Sequence, residues 1–299
     1  MKTISKDKLV YAFDKENPPV DTIHSGDTVR FETCDCFTDT VLSENDLMMD
    51  LDFTKINPAT GPIFIEGAEP GDVLQVEILK IEVHPRGVMA VAEGEGLLGE
   101  YVPFAQTKIF PLSGDTIEMF GLTLPLTKMI GVIGTAPAGE PISNGTPGEH
   151  GGNMDCTIIK EGSVLFLPVH VAGGLLALGD LHAVMADGEI SVTGAESSGE
   201  VELRVTVLKD SPLPTPSVLT DKIYATLSSA KTMEDASKEA SKKMIDFLIS
   251  EAGLSFNEAY MLLSATGKLS VCQVVDPLMT MRMEVSRDHL DKLIGREWK

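Results

Sequence analysis

The chain has 299 residues, 43% of them hydrophobic, enough for a sizeable buried core in one large domain or two smaller ones. Forty-five acidic against 24 basic residues leave a net charge of -21, which opposes binding to the phosphate backbone of nucleic acid and to anionic membrane surfaces. The longest apolar stretches, 164–171 and 171–178, are broken by Pro168, His170, Gly173 and Gly174 and fall short of the ~20 residues that span a bilayer.

The opening segment MKTISKDKLVYAFDKENPP carries lysines but no apolar core of ~7 to 15 residues and no small-residue cleavage site, so no signal peptide is expected and the expected compartment is the cytoplasm. The four cysteines, Cys34, Cys36, Cys156 and Cys272, are too sparse for a disulfide framework and lack C-x-x-C spacing; they read as reduced thiols.

Over roughly the first 210 residues, Gly and Pro recur every ~8 to 12 positions between alternating apolar and polar runs, the pattern of many short strands. Segments 27–33, 72–83 and 201–209 are the clearest. From Val73 to Val83 the period-2 alternation is nearly unbroken, which predicts a strand with one buried and one wet face. A short echo, Ser25-Gly26-Asp27, Pro70-Gly71-Asp72 and Ser113-Gly114-Asp115, marks turns that each feed a strand, because Gly tolerates positive φ and Asp bonds the turn backbone.

The Pro-rich stretch Ser211-Pro212-Leu213-Pro214-Thr215-Pro216 is the expected linker or boundary. Beyond it, Met233, Ala236, Ala240, Met244, Phe247, Leu248 and Ala252 recur at helical spacing, with Thr232 as N-cap and Gly253 as C-cap. A second helix is expected over 255–264, opened by a Ser255/Glu258 capping box, then a strand or helix over 279–284 and a last helix over 287–294. The row Met279, Met281, Met283 reads as adaptable core packing. The expected fold is mainly β, a sandwich or barrel of many short strands, with a smaller α/β C-terminal part, α+β overall. Residues 1–210 are expected to form the β-rich region that would hold any catalytic site, and residues 217–299 an α/β region packed on it in one continuous fold.

No G-x-S-x-G elbow, Walker A loop or G-x-G-x-x-G fingerprint after a strand is present. Three clusters of acid-base or metal-type residues stand out instead. In Glu32-Thr33-Cys34-Asp35-Cys36, strand geometry would place Cys34 and Cys36 on one face and Asp35 on the other; ordinary packing also accounts for it. In Gly148-Glu149-His150-Gly151-Gly152-Asn153-Met154-Asp155, paired glycines let the backbone approach a ligand while His150, Asn153 and Asp155 offer donors; a tight turn with a buried Asp is the alternative. The third is Asp180, His182, Asp187 and Glu189 after an apolar run. No basic residue lies between Lys160 and Arg204, so a divalent cation or a distant Lys or Arg must compensate these groups.

At these residues the sequence resembles the acetamidase/formamidase family over most of its length. The matching stretches are Asn57-Pro58-Ala59-Thr60-Gly61-Pro62, Glu66-Gly67-Ala68-Glu69-Pro70-Gly71-Asp72, Gly94-Glu95-Gly96-Leu97-Leu98-Gly99, His150 to Asp155, Gly179 to His182 and Asp187 to Glu189. The resemblance implies hydrolysis of formamide, acetamide or similar amides, a mostly β fold, and a divalent metal, zinc with calcium as the other option. Carried over by position, it puts Asp35, Asp155, His182 and Asp187 at or near the cation, with His150 close by. The expected chemistry is a metal-activated water with Glu66 or Glu189 carrying its proton, His150 assisting, and Gly151, Gly152 and Asn153 holding the substrate or oxyanion. Expected partners are a small amide and further copies of the chain in a homodimer or larger homo-oligomer. Two other readings are a thiol amidase using Cys34, Cys36 or Cys156, and a non-catalytic, metal-stabilised β protein that binds a small ligand.

Overall fold

The computed structural model describes residues 1–295. Two large, mostly antiparallel sheets carry the fold. The first has nine strands in the order Lys2–Ile4, Thr28–Thr33, Gly199–Leu208, Val73–Val83, Val164–Pro168, Ser217–Leu219, Ile223–Ala230, Met279–Ser286 and Lys268–Gln273. The second has eleven, with Leu176–His182 flanked by Met129–Gly134, Glu196–Ser197 and Ala59–Glu66. Apolar side chains from both sheets meet in one core, among them Phe31, Leu74, Val76 and Leu203 from the first and Ile63, Ile130, Leu178 and Leu181 from the second. The β-rich reading therefore holds, and the arrangement is a sandwich.

Alternation along Val73–Val83 is real but changes phase. Leu74, Val76 and Ile78 are buried, then Ile81, because the pairing with Gly199–Leu208 shifts between Glu202 and Leu203. A bulge moves the buried set to the other parity, which no periodicity within one strand reveals. Two of the echoed turns share a mechanism. Asp27 accepts the His24 N–H at 2.9 Å and Asp72 accepts that of Glu69 at 2.7 Å.

The Pro-rich stretch 211–216 joins two strands of the same sheet, since Ser217–Leu219 pairs with Val164–Pro168. Three α-helices follow among the described residues: α1 (Met233–Ala252), α2 (Phe256–Thr266) and α3 (Arg287–Ile294). Thr232 caps α1 by accepting the Asp235 N–H, and Gly253 ends it at φ 67°. The Ser255/Glu258 capping box opens α2. Their apolar faces cover Tyr224, Met283 and Val285 in a second core. The segment from Met279 is a strand, with Met281 and Met283 buried. No helix among the described residues is long and apolar enough to cross a membrane.

A buried cation locks the end of this sheet to the loop after Leu176–His182. Arg282, 3% exposed, holds Asp187 with two bonds (3.0 and 2.7 Å) and Glu284 with one (2.7 Å). Arg282→Leu should therefore cost about 3 kcal/mol or more by leaving the buried Glu284 carboxylate with only the exposed Lys268 ammonium, 3.8 Å away, read as a fall in the urea midpoint.

Candidate active site and metal centre

Six segments converge on one cavity of about 250 Å³, lined by Cys36, Asn153, Asp180, Glu189, Glu196 and Asp276 on its polar side. Strand Leu176–His182 contributes Asp180 and His182, and Glu196 lies directly opposite His182 in the register. Asp155 follows the strand Gly151–Asn153. Glu189 sits in the connection between Leu176–His182 and Glu196–Ser197, and Asp276 in the turn between the last two strands. Phe37, Met48, Phe53, Ile56 and Val275 form the apolar wall.

Asp155, Asp180 and Glu189 all have positive φ (39°, 57° and 46°), a region that costs a non-glycine residue about 1 kcal/mol or more. Three such residues in one cluster show a backbone bent to aim carboxylates inward. His182 Nε2 stands at their centre, 3.2 Å from Glu196 Oε2, 3.5 Å from Asp180 Oδ1, 3.7 Å from Asp155 Oδ1 and 3.9 Å from Glu189 Oε1. None of these approaches has hydrogen-bond geometry. Both Asp155 oxygens, Asp180 Oδ1, Glu196 Oε2 and His182 Nε2 are buried without a hydrogen-bond partner among the described residues.

Burial, followed by the neighbouring Asp180 charge, pushes the Asp155 carboxyl up to about 7; Glu196, buried beside Asp180, is pushed up to about 8. Glu189 and Asp276 are also raised well above the usual carboxylate range, first by burial and then by Asp155. Burial alone would lower His182, but Glu196 and Asp180 outweigh it and hold the imidazole well above its ordinary value. Among the described residues no lysine or arginine pairs with any of these carboxylates; the nearby cations are taken, Arg86 facing Asp35 and Arg282 holding Asp187.

Such a set fits a divalent cation. The ligand atoms of Asp155, His182 and Glu189 lie within 4.8 Å of one another, as do those of Cys36, Asp180 and Glu196. Orphaned, buried, mutually repelling carboxylates cost several kcal/mol unless a positive charge completes them.

Two glycines shape the cradle. A Cβ on Gly131, opposite Asp180 in the register, would come within 2.5 Å of Asp155 Oδ1 and collide with Asp180 Oδ2. A Cβ on Gly194 would lie 2.6 Å from His182 Nδ1. Gly131→Ala is expected to reduce divalent-metal content at least tenfold while far-UV circular dichroism stays native, as elemental analysis and spectra of the purified variant would show.

The structure gathers Asp155, His182 and Glu189 with Asn153 in one place. Asp35 stands behind it: its carboxylate accepts the backbone N–H groups of Phe37 (3.1 Å) and Asp39 (2.8 Å), shaping the turn that presents Cys36. Burial still pushes the Asp35 carboxyl up to about 6. The strand ends at Thr33, so Cys34 and Cys36 do not share a strand face; only Cys36 reaches the cavity. Asp187 is spent on Arg282 and on Thr157 Oγ1 (2.6 Å). Glu66 is exposed and pairs with His24 at 2.7 Å, outside the cavity.

His150 is buried against the Phe13 ring (centroids 5.1 Å apart), and burial, then His170, pulls its pKa down to about 4. Gly151 donates its N–H to Gly148 O at 3.1 Å, and Gly152 pairs with Ile133. Gly152, at φ 79°, has room for no side chain, since its Cβ would meet Thr146 O at 2.5 Å. Asp180, named as a possible ligand from sequence, is central here. Glu196, Asp276 and the ligand-type placement of Cys36 were not legible; the one signal for Glu196 is an acid flanked by small residues in Gly194-Ala195-Glu196-Ser197.

A family model described as the acetamidase/formamidase family matches residues 5–146 and 139–285. The crystal structure of an acetamidase from Bacillus halodurans superimposes with a TM-score of 0.96 at 49% identity, covering 97% of this chain and 99% of that one. A predicted acetamidase/formamidase from Thermoanaerobacter tengcongensis gives 0.95 at 42% identity, over 99% of each chain. The formamidase of Methylophilus methylotrophus is 28% identical over 254 residues, 64% of this chain and 62% of that protein. This chain spans about three fifths of the length of that curated relative.

Proposed function

This chain belongs to the acetamidase/formamidase family, and on that premise we propose that it hydrolyses short aliphatic amides such as formamide and acetamide to a carboxylate and ammonia, with a divalent cation at the Asp155/Asp180/His182/Glu189/Glu196 cluster. The observation that carries the reading is the set of buried, unpartnered carboxylate and imidazole atoms: Asp180 and Glu196, with Glu189, line one small cavity, and His182, with Asp155, stands directly behind them. Mixed nitrogen, sulfur and oxygen donors favour zinc over calcium, which takes oxygen ligands. Asp155, His182 and Glu196 would hold the ion, with Asp180 and Cys36 beside them. When bound, it supplies a Lewis acid for the amide carbonyl and lowers the pKa of water.

The chain's own residues then divide the work. Glu189 faces the cavity with its carboxyl raised above the usual carboxylate range, first by burial and then by Asp155, and would carry a proton between the attacking water and the departing nitrogen. An amide nitrogen leaves well only when protonated. Asn153 is fixed by donating to Asp276 at 3.0 Å, which leaves its buried Oδ1 to accept an N–H of the substrate. Phe37, Ile56 and Val275 pack the short acyl group and exclude water.

A cysteine nucleophile is disfavoured at Cys34 and Cys36 by the surroundings of the thiol and at Cys156 by position, since Cys156 is fully buried and does not line the cavity. Burial pushes Cys34 up to about 12, and burial with Glu196 and Asp180 raises Cys36 further from its thiolate. The experiment is elemental analysis of the purified protein beside ammonia release from formamide, acetamide and longer amides. Stoichiometric zinc and chelator-sensitive ammonia release are expected. Metal without any ammonia release would point to a ligand-binding protein, and activity blocked by thiol reagents but not chelators to the cysteine route.

A further inference from the structure

Cys156 and Cys272 are fully buried outside the proposed chemistry, on segments 116 residues apart, with their Sγ atoms at 3.2 Å. A disulfide bond is ~2.05 Å long, so closure needs a movement of only about 1 Å. The Arg282 guanidinium is fixed beside them. Its Nη1 lies 3.8 Å from Cys272 Sγ and donates to Val271 O at 2.6 Å, where it favours negative charge developing on sulfur.

Both cysteines are tied to the metal cluster through the backbone. Cys156 directly follows Asp155, and the Cys272 carbonyl accepts the N–H of Gly188 at 2.8 Å, immediately before Glu189. Asp155 and Glu189 belong to the same triad with His182.

We propose that Cys156 and Cys272 are a reversible oxidation site, forming an internal disulfide when the protein meets hydrogen peroxide and thereby shifting Asp155 and Glu189. One sulfur attacks the O–O bond, giving a sulfenic acid and a first water. The second sulfur attacks the sulfenic sulfur, forming the S–S bond and releasing a second water. Two thiols lose two electrons, both thiol hydrogens end in water, and the peroxide is reduced. Complete burial admits a small neutral oxidant and excludes bulky thiol reagents.

The test treats metal-loaded full-length protein with hydrogen peroxide beside an exposed-cysteine peptide as an oxidation control, then removes the peroxide with catalase. Each sample is divided for an ammonia-release assay and for denaturation, alkylation and peptide mapping without reductant. The expected result is a cross-linked peptide pair carrying Cys156 and Cys272, lighter by two hydrogens than the separate thiols and cleaved by dithiothreitol, with Cys34 and Cys36 alkylated. Ammonia release falls at least tenfold with the link and returns on reduction, in line with the cost of displacing a catalytic group by about 1 Å. Cys272→Ser abolishes both the link and the peroxide sensitivity. Recovery of Cys156 and Cys272 as separate alkylated thiols or as sulfinic acids, while the control peptide is oxidised, overturns the proposal. The mapping readout stands whether or not the protein is an amidase.

Discussion

His182→Ala is expected to lower kcat/KM for amide hydrolysis by about 10³-fold and to strip the divalent metal, while Asp187→Asn leaves metal content intact. The imidazole is where the cluster converges, within 3.9 Å of four carboxylates. Removing it deletes a nitrogen donor and lets the surrounding acids drift apart. A bound ion contributes several kcal/mol of transition-state stabilisation, and each ~1.4 kcal/mol is tenfold in rate, which sets the expected loss. Asp187 is the control because its oxygens are engaged by Arg282 and Thr157 rather than by the cavity. Ammonia release and elemental analysis on both variants decide the matter; unchanged metal and unchanged kcat/KM in His182→Ala would remove the cluster from the mechanism.

The second large effect concerns pH. Stripped of metal, the protein is expected to lose stability as pH rises from 5 to 8. In the unfolded chain the carboxyls of Asp155 and Glu196 ionise near their ordinary values of 3.8 and 4.5; in the folded chain they hold protons up to about 7 and about 8. Between those limits the folded state binds more protons than the unfolded one, so raising the pH favours unfolding. His182 acts in the same direction: its raised pKa makes a stabilising contribution that is complete below 6.5 and lost as pH climbs through the folded value.

At ~1.4 kcal/mol per unit, the two carboxyls alone amount to several kcal/mol, or a drop in Tm on the order of 10 °C. Zinc competes with those protons, so its stabilisation should grow over the same window. Thermal melts with chelator and with zinc at pH 5, 6, 7 and 8 measure both curves. A chelated protein whose Tm stays level or climbs across that range would contradict the buried-carboxylate account.

Much of the local structure could be read directly. Thr232, Gly253 and the Ser255/Glu258 box lie where the helices begin and end, because caps are satisfied within four residues. Alternation identified the strands within 27–33, 72–83 and 201–209 for the same short-range reason. At the site, Asp155 was legible as a donor in a Gly-rich loop, and Asp180, His182 and Glu189 as metal-type residues in a segment with no basic residue between Lys160 and Arg204.

What local pattern could not resolve was which acids share a partner. Asp187 and Asp180 look equivalent in the sequence, yet Arg282, 95 residues away, claims the first and leaves the second to the cavity. Asp35 and Cys36 are adjacent, yet the turn after Thr33 spends the carboxylate on backbone N–H groups and gives the thiol to the site. Glu196 enters only because sheet register sets it across from His182, and Asp276 only because the last hairpin folds back over the mouth. Sequence alone determined the β-rich character, the clearest strands and the helix caps. Tertiary structure decided which acids and which imidazole gather at the cavity, because charge compensation acts through space between segments whose separation along the chain carries no trace of their contact.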